Sequence, residues 1–472
     1  MPHWLHYSCR LFASISAILL TGCVQLTEPV KPDVAEQFSV SGSHTHSNHW
    51  WQEFNDPQLN MLIAEALSDN FTLKSAQARM YRAAAQAGID TAKRYPELNA
   101  TLDNDYQKGR FTENQEVRSF TDVEAGLKAR WEFDIWGKNR YEAEAAEYNL
   151  LASEERLQAA GLALAGNIAR IWFELIEQEQ SLVILTQQLD NTRTIAEITL
   201  HRYRTGQGSI SALWRQEQMI ESLQASHQKA IKQQQIFEKQ LNVLLGRTSS
   251  APINWQYTSL PYFPPLPDAG VPAQLLERRP DVRAFWYQYQ SKLHQIASAQ
   301  AAQLPNIVLT AKSSSNAESW SDIFELWRLD LGAQLSVPIF QGGRLQSLEK
   351  RAKADADEAF YDYTQGVLAA IKEVETGILE ELSQQEQLDS LKRQVQQARH
   401  ILEVELVRYS QGTQGYLDVL NAQEKLFTLQ QRKLTSHRQL YSRRIAVYQA
   451  TGGGLLTISS LGDLMLNDRE PS

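Results

Sequence analysis

The sequence predicts a mainly α-helical chain with a small β part, a two-repeat protomer of a trimeric twelve-stranded β-barrel continuous with a long twelve-helix α-barrel. Three observations lead there. Two proline-free stretches of more than sixty residues each carry seven-residue apolar repeats, four shorter stretches alternate apolar and polar residues, and the whole pattern occurs twice. The richness in Ala, Gln, Glu and Leu favours extended helix over compact α/β structure.

Arg10 precedes the apolar run Leu11 to Leu20, which ends in Leu20-Thr21-Gly22-Cys23. A run of about ten apolar residues is too short for a bilayer, where ~20 are needed, so residues 1–22 read as an export signal that is removed. Cys9 leaves with it, and no disulfide framework is left. The Leu-Thr-Gly-Cys ending resembles bacterial lipoprotein signals. That resemblance implies cleavage before Cys23 and a covalent lipid on it, and Val24 in the next position implies the outer membrane. No later stretch reaches the ~18 continuous apolar residues of a membrane helix, so any further crossing must be made by strands.

Residues 23–49 are polar and Pro-containing and read as a lipidated linker. His44, His46 and His49 stand close together there, but clustered His in a polar linker is more often solvated, and no metal site or other cofactor is expected. The formal charge of −9 supplies no basic stripe for nucleic acid.

The first long helix is expected over about 140 to 204. Leu150, Leu157, Leu164 and Ile171 recur every seven residues, as do Ile168, Leu175, Leu182 and Leu189. The second, about 344 to 411, repeats the device with Val367, Val374, Leu388, Val395 and Leu402. At 1.5 Å per residue each spans roughly 100 Å, longer than any globular core. Beside the stripes lie Ala159, Ala160, Ala163, Ser383 and Gln384, small or polar residues suited to helices packed on two sides in a ring. Shorter helices are expected at about 58 to 94, 210 to 246, 281 to 303 and 416 to 450.

Four strands are expected: Leu98 to Tyr106, Ala125 to Phe133, Ile307 to Ser313 and Leu329 to Val337. Tilted strands of 9 to 11 residues cross an outer membrane, with one face to lipid and one to water. Trp131, Trp136, Trp320, Trp327 and Phe340 fall near their ends, where an aromatic girdle belongs.

The internal repeat joins these elements. Ile195, Glu197, Leu200, Arg202, Tyr203 and Gly206 match Ile401, Glu403, Leu406, Arg408, Tyr409 and Gly412 at one constant offset. Tyr95-Pro96 matches Leu304-Pro305, and Trp136 and Arg140 match Phe340 and Arg344. The first repeat covers 50–255, the second 256–455, and 456–472 form a tail. Four strands cannot close a membrane barrel, since small barrels need about eight. Two copies would give a bore usually filled by side chains; three give twelve strands and twelve helical staves.

Over essentially the whole mature chain the sequence resembles the TolC-like outer-membrane efflux factors, in their lipoprotein branch. The resemblance rests on Trp50 to Leu59 (WWQEFNDPQL), Leu275 to Arg283 (LLERRPDVR), Pro338 to Arg344 (PIFQGGR), and Arg408 to Gly412 (RYSQG) followed by Tyr416 to Leu420 (YLDVL). It implies a homotrimer in outer-membrane lipid that conducts small molecules passively from the periplasm. It also implies two partners, a periplasmic adaptor and an inner-membrane pump of the RND type.

Physically, most of these motifs read as structural. Pro280 suits the first position of a helix and Asp281 its positive end. Gly342-Gly343 permits the strand-to-helix bend. Gly206, Gly208, Gly412 and Gly415 break the long helices into hairpin tips, where Gly206, Gly208, Ser209, Gly412, Gly415 and Tyr416 are candidate adaptor contacts. Asp418 lies just beyond the second tip, and threefold symmetry makes it a ring of carboxylates of the kind that favours cations. Arg202, Tyr203, Arg408 and Tyr409 stand one turn before the tips, where they can tie neighbouring hairpins. Two departures bear on that site: Asn421-Ala422-Gln423 stands where relatives commonly carry Asp-Ala-Gln, and Trp214 is bulkier than usual.

An enzyme is not expected, since H-E-x-x-H, G-x-S-x-G, C-x-x-C and the P-loop are all missing. The competing reading is a structural lipoprotein that bridges envelope layers without channel activity. It leaves the strand pairs unexplained.

Overall fold

The computed structural model describes residues 26–33, 37–39, 49–110, 117–252, 259–323 and 325–453. The export signal, Cys23, Val24, His44, His46 and the tail lie outside the described residues.

In chain order, a 3₁₀ turn Trp50–Phe54 leads to α1 (Pro57–Asp69), α2 (Phe71–Ala92), β1 (Glu97–Gly109), β2 (Arg118–Phe133), α3 (Lys138–Arg204) and α4 (Ile210–Leu244). The second half supplies α5 (Pro272–Arg278), α6 (Pro280–Ala301), β3 (Asn306–Ala317), β4 (Trp327–Ser336), α7 (Arg344–Ser410) and α8 (Tyr416–Ala450). Both α3 and α7 are 67 residues long, and both α4 and α8 are 35, so the repeat holds in length as well as in motif.

Two elements differ from expectation. The helix expected over 58 to 94 is broken at Asn70, whose side chain accepts from Leu73 N at 3.0 Å and donates to the carbonyl of Leu244 at 2.8 Å. An Asn that caps one helix while tying down another gains more from the break than from helix continuity. The short helix α5 was not anticipated, and it ends where Pro280 starts α6.

The chain forms two compact units, each drawing on both repeats. One takes Arg79–Ser153 and Ala284–Thr364 and holds the sheet, in the order β1-β2-β3-β4, antiparallel throughout. Three of its four strands exceed 11 residues. Leu98, Ala100 and Leu102 of β1 stand opposite Ala129, Leu127 and Ala125 of β2, and Leu331 and Leu335 of β4 opposite Ala311 and Ile307 of β3. Because side chains alternate along a strand, the other face carries Asp103 opposite Glu124, Asp105 opposite Asp122 and Lys128 opposite Lys312. One face is apolar and one is charged. Like charges directly opposite one another are tolerated where water screens them, so the charged face is the wet one. The aromatic residues divide: Trp320, Trp327 and Phe340 are exposed, whereas the Trp131 and Trp136 indoles donate to the carbonyls of Arg94 (2.9 Å) and Pro305 (2.6 Å). Beneath the sheet, Tyr289, Leu293 and Ile296 of α6 pack on Ala352, Ala356 and Ala359 of α7.

The other unit takes Asp33–Ala78, Glu154–Arg283 and the chain from Gln365. Its core gathers Trp50, Phe54, Phe173, Tyr441 and Tyr448, with Trp50 and Tyr448 stacked at 5.3 Å. Asp56 explains its place in the Trp50 to Leu59 motif. One oxygen caps α1 by accepting from Gln58 N (2.9 Å) and Leu59 N (3.1 Å), and the other accepts from the Trp172 indole at 2.7 Å. The heptad positions Ile168, Leu175, Val367, Val374 and Leu388 are buried. Leu368, Leu379, Ile401, Val404 and Val407 form a second apolar row on α7 that remains exposed in the single chain. By composition one window of α3 resembles a membrane span, but more than half of it is buried in this packing.

Candidate functional site at the hairpin tips

Both long helices end in the same way. Gly206 adopts φ +74° and Gly412 φ +78°, a left-handed conformation that costs glycine nothing. At the first tip Gly206 N donates to Tyr203 O (3.0 Å) and Gln207 N to Arg202 O (2.8 Å); at the second, Gly412 N donates to Tyr409 O (3.0 Å) and Thr413 N to Arg408 O (3.0 Å). These are paired Schellman closures, which satisfy the last carbonyls of each helix and reverse the chain. Ser209 then caps α4, its hydroxyl accepting from Ala212 N at 3.3 Å, while Gly415 stands at the start of α8. Gly208 stands in a crowded place: a Cβ there would lie 3.1 Å from Tyr203 N, so a larger residue needs the neighbouring backbone to give by a few tenths of an ångström.

The side chains do not repeat as the backbone does. Arg202 crosses from the first hairpin to the second: its guanidinium lies 4.5 Å from the Tyr409 ring centroid and donates to the Tyr409 carbonyl and, at 3.3 Å, to Gln207 O. Tyr409 is 4% exposed, packed with Ile195 and Val419, and its hydroxyl has no hydrogen-bond partner among the described residues. The sequence-equivalent residues behave otherwise. Arg408 is exposed and reaches Glu405 on its own helix at 3.4 Å, and Tyr203 is 43% exposed. Asp418, also exposed, accepts from Gln414 at 2.6 Å in the first turn of α8.

Tyr416 turns inward instead of presenting itself at the tip. Its ring meets Tyr409 edge-on at 5.9 Å and its hydroxyl donates to Gln216. Burial, with Tyr409 nearby, pushes the Tyr416 hydroxyl up to about 12, so it remains a protonated donor throughout the physiological range. Gln216 in turn donates to Thr192 O (2.9 Å), and Gln423 donates to the Thr192 hydroxyl (2.8 Å). This buried polar ladder under the tips joins α3, α4 and α8. Sequence reasoning missed it, since a Gln on a Gln-rich helix gives no sign of being buried; only the pairing of Gln216 and Gln423 at one level along the helices would have shown it.

Among the described residues no cluster of His, Cys, Asp or Glu is arranged to hold a metal ion.

The sequence profile of the outer membrane efflux protein family matches residues 62–247 and 271–453, both repeats in turn. The chain belongs to that family. It is 29% identical over 472 residues to the probable outer membrane lipoprotein SilC of Salmonella typhimurium, covering 95% of this chain and 99% of SilC. It is 28% identical over 469 residues to the pyoverdine export outer membrane protein OpmQ of Pseudomonas aeruginosa, covering 95% and 97%. Its fold matches the solved outer-membrane channel OprN with a TM-score of 0.85 at 25% identity, over 92% of this chain and 99% of that one. The protein is an outer-membrane efflux channel, and its two-repeat helical and β architecture is that of the family. The scaffold alternative finds no support.

Proposed function

We propose that three copies assemble in the outer membrane into a passive duct closed at the hairpin tips, served by a periplasmic adaptor and driven by an inner-membrane pump of the RND type. The observation that carries this reading is the sheet: among the described residues it has four strands, one apolar face, one charged face and no pairing at either edge. A sheet of that kind is not stable in a bilayer until other copies close it. The water-filled interior then leads substrate from the tips to the outside, and the pump supplies the energy.

The tips are the gate in this reading. Arg202 ties the two hairpins of one protomer, Arg408 and Tyr203 face outward to neighbouring copies, and three Asp418 carboxylates ring the narrow end. The adaptor grips the glycine turns at Gly206, Gly208, Ser209, Gly412 and Gly415, with Tyr416 bracing them from inside. Cys23 carries the lipid that anchors the mature chain, with no other cofactor. The exported compound is whatever the pump delivers, and the chain itself does not select it closely.

Intact mass and mass in detergent test the assembly together. A trimer of chains beginning at lipidated Cys23 is expected; a stable monomer or dimer would overturn the duct, and an unmodified N-terminus would overturn the anchor. Susceptibility profiling of a deletion strain identifies the cargo.

A further inference from the structure

Two side chains just below the hairpin tips are buried with a polar atom left unsatisfied. Tyr409 is 4% exposed and Gln423 is 0% exposed, yet neither Tyr409 Oη nor Gln423 Oε1 has a hydrogen-bond partner among the described residues. Folded chains seldom leave such atoms bare, because the water given up on burial is not replaced. Both residues line one cleft of about 460 Å³, walled by α3, α7 and α8. Their unpaired atoms stand at one level of it. Helical side chains lean toward the helix N-terminus, so on α7, which runs down to the tip, the Tyr409 ring leans back from the tip. It packs on Val419 of α8, and Gln423 lies one turn beyond Val419 in the same direction.

Neither atom is rescued from within. Arg202 over the Tyr409 ring and Tyr416 at its edge fix that ring in place. Gln423 Nε2 donates to Thr192 Oγ1 at 2.8 Å, and Thr192 Oγ1 donates to Gln188 O at 2.7 Å. Turning the Gln423 amide over would hand Oε1 to Thr192 and leave Nε2 unpaired in its place, so one polar atom faces the cleft in either orientation. A bridging water needs only about 10–15 Å³. The cleft is far larger, and Ile195, Leu402, Leu406 and Phe427 give it apolar walls that water wets poorly.

We propose that this cleft is a binding site for a small aromatic alcohol, whose ring system lies against Ile195, Leu402, Leu406 and Phe427 and whose hydroxyl bonds Gln423 while accepting from the Tyr409 hydroxyl. A hydroxyl is the group that fits. It donates once and accepts twice, so it meets Gln423 in either amide orientation and still serves Tyr409, whereas an ether only accepts. A flat ring system fits the rest of the cleft, since it has few rotors to freeze and the Phe427 and Tyr409 rings offer it aromatic contacts. Every wall named belongs to one chain, so the site depends neither on assembly nor on the gate. Passive conduction gives no reason for two orphaned polar atoms beside an apolar cleft; a ligand that satisfies both does.

The probe is 2-naphthol, with naphthalene as the same ring system lacking the hydroxyl. Equilibrium dialysis measures the binding of each to the full chain in detergent, for the wild type, Gln423→Leu, Tyr409→Phe and Leu406→Trp. The wild type is expected to bind both saturably, and 2-naphthol about tenfold more tightly. That advantage should vanish in Gln423→Leu and shrink severalfold in Tyr409→Phe, while naphthalene binds as before. Uptake by micelles does not saturate and is common to all four proteins, so it drops out of the comparison. Leu406→Trp fills the cleft from α7 and should abolish binding of both probes, which keeps the test open even if Gln423→Leu fails to fold. No saturable binding of 2-naphthol by the wild type would overturn the proposal and leave the orphaned atoms to water alone. An advantage over naphthalene that is the same in every variant, or undiminished binding by Leu406→Trp, would overturn it too, by placing the probe elsewhere.

Discussion

The guanidinium of Arg202 lies 4.5 Å over the ring of Tyr409, on the other repeat's hairpin, and donates to that residue's own carbonyl. A cation–π contact and a charge-assisted hydrogen bond, each worth about 1–2 kcal/mol where water is partly excluded, hold the two hairpins together.

Arg202→Ala removes both. The open probability in a planar bilayer is expected to rise by about tenfold or more, since ~1.4 kcal/mol corresponds to a factor of ten. Tyr409→Phe keeps the ring and loses only a hydroxyl that has no hydrogen-bond partner among the described residues, so it should behave like the wild type. A large effect of Tyr409→Phe would show that the hydroxyl, and not the ring, makes the tie.

Asp418 is exposed in the first turn of α8 and would form one of three carboxylates at the narrow end. Asp418→Asn should bring the cation-to-anion permeability ratio severalfold closer to unity, measured as a reversal potential in a salt gradient. An unchanged reversal potential would place the selectivity elsewhere in the bore.

Both repeats carry the Arg-Tyr-x-x-Gly pattern, so the glycine turns, the helix ends and the candidate tip residues were legible in the sequence. Which Arg would cross to which Tyr was not. A repeat is symmetric in sequence, and the crossing of Arg202 but not Arg408 is fixed by which hairpin lies beside which in three dimensions. Local chemistry likewise placed α3 within two residues at its start and exactly at its end, because a Gly turn marks that end. It missed the break at Asn70, whose reward is a distant bond to Leu244 O, and it started β2 seven residues late, because Arg118 to Glu124 is too polar to read as strand until its partners on β1 and β3 are known.

Arg444 and Glu381 form an ion pair at 2.5 Å that is almost wholly buried, and Arg444 also holds the carbonyl of Pro265 at 2.7 Å. Glu381→Ala leaves a buried charge without its counter-ion and is expected to cost about 3–5 kcal/mol. The joint replacement of Glu381→Leu with Arg444→Met should recover most of it. Thermal or denaturant unfolding in detergent measures both. A mild effect of the single change would mean that water reaches the site.

Glu155 is 4% exposed, and burial pushes its carboxyl up to about 7 despite Arg283 at 2.7 Å. A carboxyl whose folded value is raised favours the folded state while protonated. Its contribution is therefore fully present below about pH 4.5, its ordinary value, and is lost as the pH climbs through about 7. Stability should fall across that window by roughly 3 kcal/mol. Glu155→Gln, neutral at every pH, should remove that part of the pH dependence. An identical profile in the variant would show that the carboxyl is already ionised well below pH 7.

A duct closed at its tips should reveal itself in single-channel conductance of the purified protein in a planar bilayer. Small, rarely open steps are expected for the wild type and long-lived, large steps for Arg202→Ala at the same protein density. Silent membranes for both proteins, with trimers demonstrably inserted, would contradict it.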